Sequence, residues 1–130
     1  MPWMKLDKDL VREILLAVEA STNSPEEGLT LTLEDRTSRD ISYHVMLLHE
    51  AGLLIGHDAS FMEDTFPVWK AKRLTYQGHE FLDTVRDGEV WRRTKAGAEK
   101  AGVAGLGVLL DLGKAIGKQV LKERLGIELP

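Results

Sequence analysis

The fold is decided by residues 41–54, which read ISYHVMLLHEAGLL. Four apolar side chains fall on one stripe of this stretch at helical spacing: Ile41, Val45, Leu48 and Ala51. That spacing predicts an amphipathic helix, which Thr37 or Ser38 would cap at its start and Gly52 would end. The apolar run 53–55 follows at once and predicts a strand. A helix is therefore expected to pass directly into a strand here.

Upstream of this stretch, the sequence predicts a first helix and a short strand. Asp7 can cap a helix whose apolar residues recur at helical spacing: Leu10, Val11, Ile14, Leu15 and Val18. The helix should end near residues 21–25, where Pro25 follows a cluster of turn-forming residues. Residues 29–33 then alternate leucine with threonine, which is the period of a half-buried strand.

Downstream, a polar loop over residues 56–67 separates the first apolar run from a second alternating segment, residues 68–74. The two segments are expected to pair as a hairpin. Thr75 can cap the next helix, which Gly88 would break. Three residues of that helix are expected in the core: Phe81, Leu82 and Val85. A short helix over residues 89–95 should follow.

The segment 96–130 differs in character from the rest of the chain. Glycines interrupt its apolar residues at six positions: Gly97, Gly102, Gly105, Gly107, Gly113 and Gly117. Because each glycine costs a helix about 1 kcal/mol relative to alanine, we expect a helical extension that needs a surface to pack on. That surface is the domain itself, a second copy of the chain, or a membrane interface. The last is suggested only by basic residues beside apolar ones: Lys114, Lys118, Lys122 and Arg124.

The composition is that of a soluble globular protein. Of 130 residues, 43% are hydrophobic and 29% are charged, which suits one domain with one core. The absence of cysteine excludes disulfides, thiolate nucleophiles and cysteine-based metal sites. No basic-then-apolar signal segment opens the chain, and its longest apolar stretch, residues 101–110, is too short to span a bilayer. The expected location is the cytoplasm, with no membrane span.

Charge is distributed unevenly along the chain. Residues 1–69 hold 5 Lys/Arg against 13 Asp/Glu, whereas residues 70–130 hold 12 against 8. A nucleic-acid binder needs a positive field to displace counterions from phosphates. Only the second half of the chain could supply that field, so any DNA binding should be weak or local.

No arrangement of residues in the sequence indicates catalysis. The four histidines have no recognisable metal-ligand spacing: His44, His49, His57 and His79. Residues 105–107, GLG, lack the preceding strand and the remaining glycines of a dinucleotide-binding loop, and no phosphate-binding loop occurs. No set of nucleophile, base and orienting acid can be assembled from spacing. We therefore expect a non-enzyme with no catalytic residues, no metal and no cofactor.

Two motifs carry a resemblance to known proteins. Residues 41–54 resemble the recognition helix and first wing strand of the winged helix-turn-helix repressors, in which a Ser-x-His-Leu-x-x-Leu-x-x-Ala-Gly-Leu run precedes the wing. Residues 73–82, RLTYQGHEFL, resemble the Leu-Thr-x-x-Gly-x-x-Phe-Leu segment that leaves the wing in the same superfamily. Over nearly its whole length, the chain is identified as a member of an uncharacterised winged-helix-like family of bacterial and prophage proteins, the domain-of-unknown-function group number twenty-five-thirteen.

This resemblance implies a fold class and a domain organisation. The expected fold is α+β and mostly helical, with a small antiparallel sheet that forms the wing. Residues 1–95 would form the winged-helix-like domain. Residues 96–130 would form a glycine-rich, apolar helical extension that packs on this domain or on a second copy.

The first functional hypothesis is a transcriptional regulatory factor that binds double-stranded DNA. The resemblance to repressors places five residues of the second helix toward DNA: Arg39, Ser42, Tyr43, Met46 and His49. Three basic residues of the returning strand would join Arg39 at phosphates: Lys70, Lys72 and Arg73. Two features oppose this hypothesis. The loop is acidic, with Asp58, Glu63 and Asp64, and too few residues separate the start of the first strand from the second helix to form the first helix of a helix-turn-helix.

The second hypothesis is a protein interaction module that does not bind DNA. Four apolar or aromatic residues of the loop and returning strand would contact a host or phage protein, or would fold back on the core: Phe61, Met62, Phe66 and Trp69. The acidic first half of the chain also favours this hypothesis. A homodimer is expected to form through the first helix or the C-terminal segment.

Overall fold

The fold is α+β, as predicted from the sequence. In a computed structural model of the chain, residues 5–21, 28–102 and 105–126 are described, and these form five helices and one two-stranded antiparallel sheet. The elements follow in this order: α1 (Lys8–Ala20), α2 (Ser38–Glu50), β1 (Leu54–Asp58), β2 (Trp69–Leu74), α3 (Tyr76–Val85), α4 (Gly88–Ala101) and α5 (Leu106–Leu125).

The chain forms two compact units that divide between His79 and Glu80, within α3. The first unit holds α1, α2 and the sheet, and the second holds α4, α5 and the end of α3. The domains expected from the sequence, residues 1–95 and 96–130, have a different boundary and stay a prediction.

Both helices of the first unit begin at the predicted caps. The Asp7 carboxylate accepts a hydrogen bond from the Leu10 N–H, and the Thr37 hydroxyl accepts one from the Asp40 N–H. Gly52, just after α2, has a φ of +80°, which only glycine adopts at no cost. The helices and the sheet bury these residues: Leu10, Val11, Ile14, Leu15, Val18, Leu29, Ile41, Val45, Leu48, Leu53, Leu54, Ala71 and Leu74.

The sheet is a β-hairpin with one irregularity. Leu54 pairs with Leu74 and Ile55 with Arg73, but Gly56 pairs with Ala71, so β2 contains one residue more than β1 at this point. Leu29 adds a single antiparallel bridge to Ala71, where a strand over residues 29–33 was predicted. The described residues 28–37 form no helix, and the first helix of a helix-turn-helix is therefore not found between the bridge and α2.

A tight junction joins β1 and α3 in the first unit. The Thr75 hydroxyl donates to the Gly52 carbonyl at 2.5 Å and accepts from the Gly78 N–H at 3.0 Å, so it caps α3 as predicted. A Cβ at Gly78 would lie 1.9 Å from the carbonyl oxygen of Leu53. Only a glycine permits this approach of the two backbones.

The second unit contains the predicted helical extension. α4 runs from Gly88 to Ala101, longer than the predicted helix over residues 89–95, and α5 continues for 20 residues. At Gly113 a Cβ would lie 3.2 Å from Phe81, and at Gly117 a Cβ would lie 2.7 Å from Thr84. These two glycines let α5 approach the end of α3, and the packing offsets their cost to the helix. No helix in the described ranges is long and apolar enough to cross a membrane.

Ion pairs join the start of α4 to the end of α5. Arg124 contacts Asp87 at 2.6 Å and Glu89 at 3.2 Å, and Arg93 contacts Glu89 at 2.8 Å and Glu123 at 2.9 Å. Hydrogen bonds from Arg124, and then from the backbone N–H groups of Val90 and Glu89, lower the pKa of Asp87 from 3.8 to about 2.

Candidate interaction site on the hairpin

The hairpin has one face toward α2 and one face away from it. A Cβ at Gly56 would lie 3.5 Å from Val45 of α2, so this position faces the helix. Ala71, its partner in β2, is buried on the same face. Because side chains alternate along a strand and cross-strand partners share a face, the register assigns each residue of the hairpin to one side.

Ser42 of α2 is a structural residue of the junction with β2. Its side chain is only 4% exposed, and its hydroxyl donates to the Pro67 carbonyl at 2.5 Å and accepts from the Trp69 N–H at 2.6 Å. The predicted outward orientation of Ser42 is therefore wrong. The hydroxyl instead forms hydrogen bonds with two backbone groups of the segment that leads into β2.

His49 and Trp69 form a second contact between α2 and β2. Their rings lie 5.3 Å apart, and the Gly56 N–H donates to His49 Nδ1 at 3.1 Å. Met46 lies one helical turn from both Ser42 and His49 and is half-buried on the same side of α2. Three predicted site residues, Met46, His49 and Trp69, thus lie along the seam between the helix and the hairpin.

One of the predicted phosphate-contacting residues, Lys70, lies on the opposite face of the sheet. Lys70 pairs with His57, the neighbour of Gly56, and a Cβ at Gly28 would lie 2.9 Å from the His57 ring and 3.2 Å from Lys70 Cβ. Lys72 is the extra residue of β2 at the irregularity, so the alternation of side chains does not assign it to a face. The sheet separates Lys70 from α2. One DNA surface that combines Lys70 with the helix is therefore not formed.

Arg39, Tyr43 and Arg73 complete the predicted DNA-binding set. Arg39 is exposed in the first turn of α2. The half-buried Tyr43 places its ring edge-on to that of His44, with 5.7 Å between centroids. Arg73 is exposed opposite Ile55, at the irregularity of the sheet, and its guanidinium donates to the Leu74 carbonyl at 3.1 Å.

The hairpin tip, residues 59–67, is held by its own hydrogen bonds. The Ala59 N–H donates to the Val68 carbonyl at 2.7 Å, and the Val68 N–H donates to the Ser60 hydroxyl at 2.6 Å. The carboxylate of Asp58 accepts from the Ser60 N–H at 2.9 Å, and that of Asp64 accepts from the Phe61 N–H at 2.6 Å. Hydrogen bonds from Ser60, first from its hydroxyl and then from its N–H, hold the pKa of Asp58 below the usual range. The tip is thus an ordered, negatively charged turn.

This ordered turn presents two large apolar side chains to solvent. Phe61 is 75% exposed and Met62 is fully exposed, whereas Phe66 and Trp69 are half-buried. Of the four residues predicted to contact a partner, the structure therefore exposes two at the tip and places the other two toward the body of the unit. Isolated exposed apolar residues are common, but two adjacent ones on a fixed turn are a candidate contact point.

A buried histidine connects the start of α1 to α2. The Asp40 carbonyl lies 2.8 Å from His44 Nδ1, which must donate to it, and the Asp7 N–H donates to His44 Nε2 at 2.8 Å. Arg36 pairs with Asp7 at 2.5 Å and with Glu13 at 2.6 Å. Burial raises the pKa of Asp7, but the Leu10 N–H and Arg36 more than offset it, so the net pKa lies below its usual value.

The residues that order the tip were not predicted from the sequence. Asp58 and Asp64 were expected only to oppose DNA binding by their charge, but both carboxylates accept backbone hydrogen bonds. An aspartate two residues before a serine is a common signal for such a turn, and residues 58–60, DAS, contain it. The ordered turn could therefore have been predicted from these local turn-forming residues.

Comparison with known proteins assigns the chain to a family. Residues 5–104 match the family described as "Hypothetical protein (DUF2513)". The chain belongs to this family. A relative in Haemophilus influenzae, described as "Uncharacterized protein", is 32% identical over 122 residues, which cover 94% of this chain and 99% of the relative. No solved structure matches the chain. The family predicted from the two sequence motifs is thus confirmed, and the matched region includes α1 to α4 with the whole hairpin.

Proposed function

We propose that this chain is a protein interaction module and that the hairpin tip is its contact point. The observation that carries the proposal is the exposure of Phe61 and Met62 on a turn fixed by the carboxylates of Asp58 and Asp64. A rigid turn loses little conformational entropy when it binds, so apolar side chains on it are effective anchors.

The charge around these anchors specifies the chemistry of the partner. Exposed acidic residues flank Phe61 and Met62 on both sides: Asp58, Glu63 and Asp64. A surface that accepts the tip would combine an apolar cleft with lysine or arginine residues at its rim, because such a rim complements the acidic flanks. The proposed role is binding rather than catalysis, and the absence of cysteine from the sequence fits a cytoplasmic location.

Site-specific photo-crosslinking in cells tests this proposal. A photoreactive amino acid at position 62 is expected to give discrete protein adducts, and the same residue at Tyr76, which is 77% exposed in the same unit, serves as the control. The adducts should disappear when Phe61 is also changed to serine. Identical adducts from both positions, or none from position 62, would refute the proposal.

DNA binding by a regulatory factor is the second candidate. The observation that favours it is the basic strand β2, where Lys70, Lys72 and Arg73 lie within one short segment. These residues would contact phosphates, which position a protein on DNA without reading its sequence, and the sheet separates Lys70 from α2. Fluorescence anisotropy with mixed duplex DNA at two salt concentrations tests this candidate. Salt-sensitive binding that Lys70→Ala with Lys72→Ala removes would support it, and absence of binding would exclude it.

A further inference from the structure

An exposed stripe on α5 combines apolar and basic residues. Lys114, Lys118, Leu121 and Leu125 follow one another at intervals of four, three and four residues, which places all four on one side of the helix. Leu121 is 46% exposed and Leu125 is 58% exposed, and both lysines are exposed beside them. The helix buries Leu109, Gly113 and Val120 instead, so this stripe takes no part in the core of the second unit.

Two other charged residues at the end of α5, Glu123 and Arg124, are engaged in ion pairs within the second unit. Arg124 contacts Asp87 and Glu89, and Glu123 contacts Arg93. These contacts fix the last turn of the helix, where Leu125 lies. The α5 stripe is therefore an apolar strip with a positive rim on a supported helix.

The hairpin tip and the α5 stripe are complementary: both carry apolar side chains, and their charges are opposite. The tip offers Phe61 and Met62 with acidic residues around them, and the stripe offers Leu121 and Leu125 with lysines around them. Apolar contact in the centre with opposite charges at the rim is the usual arrangement of a specific protein interface.

We propose that the partner of the hairpin tip is a second copy of this chain, which receives the tip on its α5 stripe. This inference rests on the proposed function, because it names the partner of the same site. Phe61 and Met62 of one copy pack against Leu121 and Leu125 of the other. Glu63 lies beside Lys114 or Lys118, so the contact weakens as salt rises.

Complementation between two variants tests this contact with the full-length purified chain. The tip variant carries Phe61→Ser with Met62→Ser, and the stripe variant carries Leu121→Ser with Leu125→Ser. Sedimentation velocity over a concentration series should show self-association of the wild type. Each variant alone should lose it, with an apparent dissociation constant raised roughly tenfold or more. An equimolar mixture should regain it, because each variant keeps the surface that the other lacks.

Two controls separate this loss from misfolding. Tyr76→Ser and Val108→Ser change exposed side chains in the same two units, outside the tip and the stripe, and should leave self-association unchanged. Circular dichroism melting of all variants should match that of the wild type. An independent charge reversal, Glu63→Lys combined with Lys118→Glu, should restore association that either change alone weakens.

Other results would overturn the inference. A monomeric wild type, or a mixture that stays monomeric, refutes it. A stripe variant that still self-associates while the tip variant does not would indicate a contact between two tips. Binding of the monomer to anionic phosphatidylglycerol vesicles through the stripe would assign α5 to a lipid surface. If position 62 still gives adducts with a different protein in any of these cases, the inference fails and the proposed function stands.

Discussion

The hydroxyl of Ser42 accepts a hydrogen bond from the backbone N–H of Trp69 at 2.6 Å, while it donates to the carbonyl of Pro67. One buried side chain thus connects α2 to the segment that enters β2. Ser42→Ala would leave a buried N–H and a carbonyl without this partner, so we expect it to lower the free energy of unfolding by about 1–3 kcal/mol.

Urea denaturation of Ser42→Ala and of Ser38→Ala measures this effect. Ser38 lies on the same helix but is exposed, and its change should cost much less. Equal destabilisation by the two changes would show that the Ser42 bonds have no structural role.

The close approach of α3 to the end of α2 gives a second prediction. A Cβ at Gly78 would lie 1.9 Å from the Leu53 carbonyl oxygen, so Gly78→Ala must displace the backbone. We expect a loss of roughly 3 kcal/mol or more, measured as a fall in the thermal midpoint. The matched control is Gly107→Ala in α5, where a Cβ meets no atom within 4 Å. That change should stabilise the chain by up to about 1 kcal/mol, and similar effects of both changes would contradict the prediction.

The buried His44 gives a third prediction. It accepts from the Asp7 N–H and donates to the Asp40 carbonyl, so His44→Leu would leave both groups without their partner. We expect destabilisation by about 2 kcal/mol or more in urea denaturation. His79→Leu changes an exposed histidine and should have little effect. Equal stability of the two variants would refute a structural role for His44.

The pKa of Asp87 gives a prediction for acid. Because the pKa is about 2 in the folded chain and 3.8 in the absence of these contacts, the bonds to Arg124 and to the α4 backbone stabilise the fold above pH 3.8. Their contribution is lost as the pH falls from 3.8 toward 2. The thermal midpoint of Asp87→Asn should therefore lie below that of the wild type at neutral pH and approach it in this interval. Asp83→Asn serves as the control, because Asp83 is exposed and pairs with Arg86 one turn away. A difference in thermal midpoint between Asp87→Asn and the wild type that stays constant down to pH 2 would contradict the prediction.

The helices and the hairpin of the first unit were predictable because their signals are local. Asp7 and Thr37 cap α1 and α2 as the sequence predicts, and Thr75 caps α3. The strand expected over residues 29–33 is a single bridge at Leu29, because a threonine–leucine alternation does not by itself provide a neighbour to pair with. Local patterns therefore established the elements but not their pairing.

The candidate site was less predictable from the sequence. It depends on the face of α2 or of the sheet on which each residue lies. A serine on the polar side of a predicted helix gives no sign that it will be buried, as Ser42 is. The separation of Lys70 from α2 follows from the register of the sheet, which depends on contacts distant in sequence. The predicted extension begins at residue 96, but α4 continues through Gly97. The reason is that α5 packs beside it: a Cβ at Gly97 would lie 3.9 Å from Leu112 and Ile116.

The irregularity in the sheet is confined to one residue of β2. The extra residue of β2, Lys72, resets the alternation, so that Ala71 and Leu74 can both be buried although they are three positions apart. Deleting Lys72 would place Arg73 next to Ala71, so the strand would alternate regularly and keep all of its cross-strand pairs. Trp69 would stay beside His49, and Lys70 would stay on the opposite face. The two surfaces of the hairpin should therefore survive the loss of the codon for Lys72.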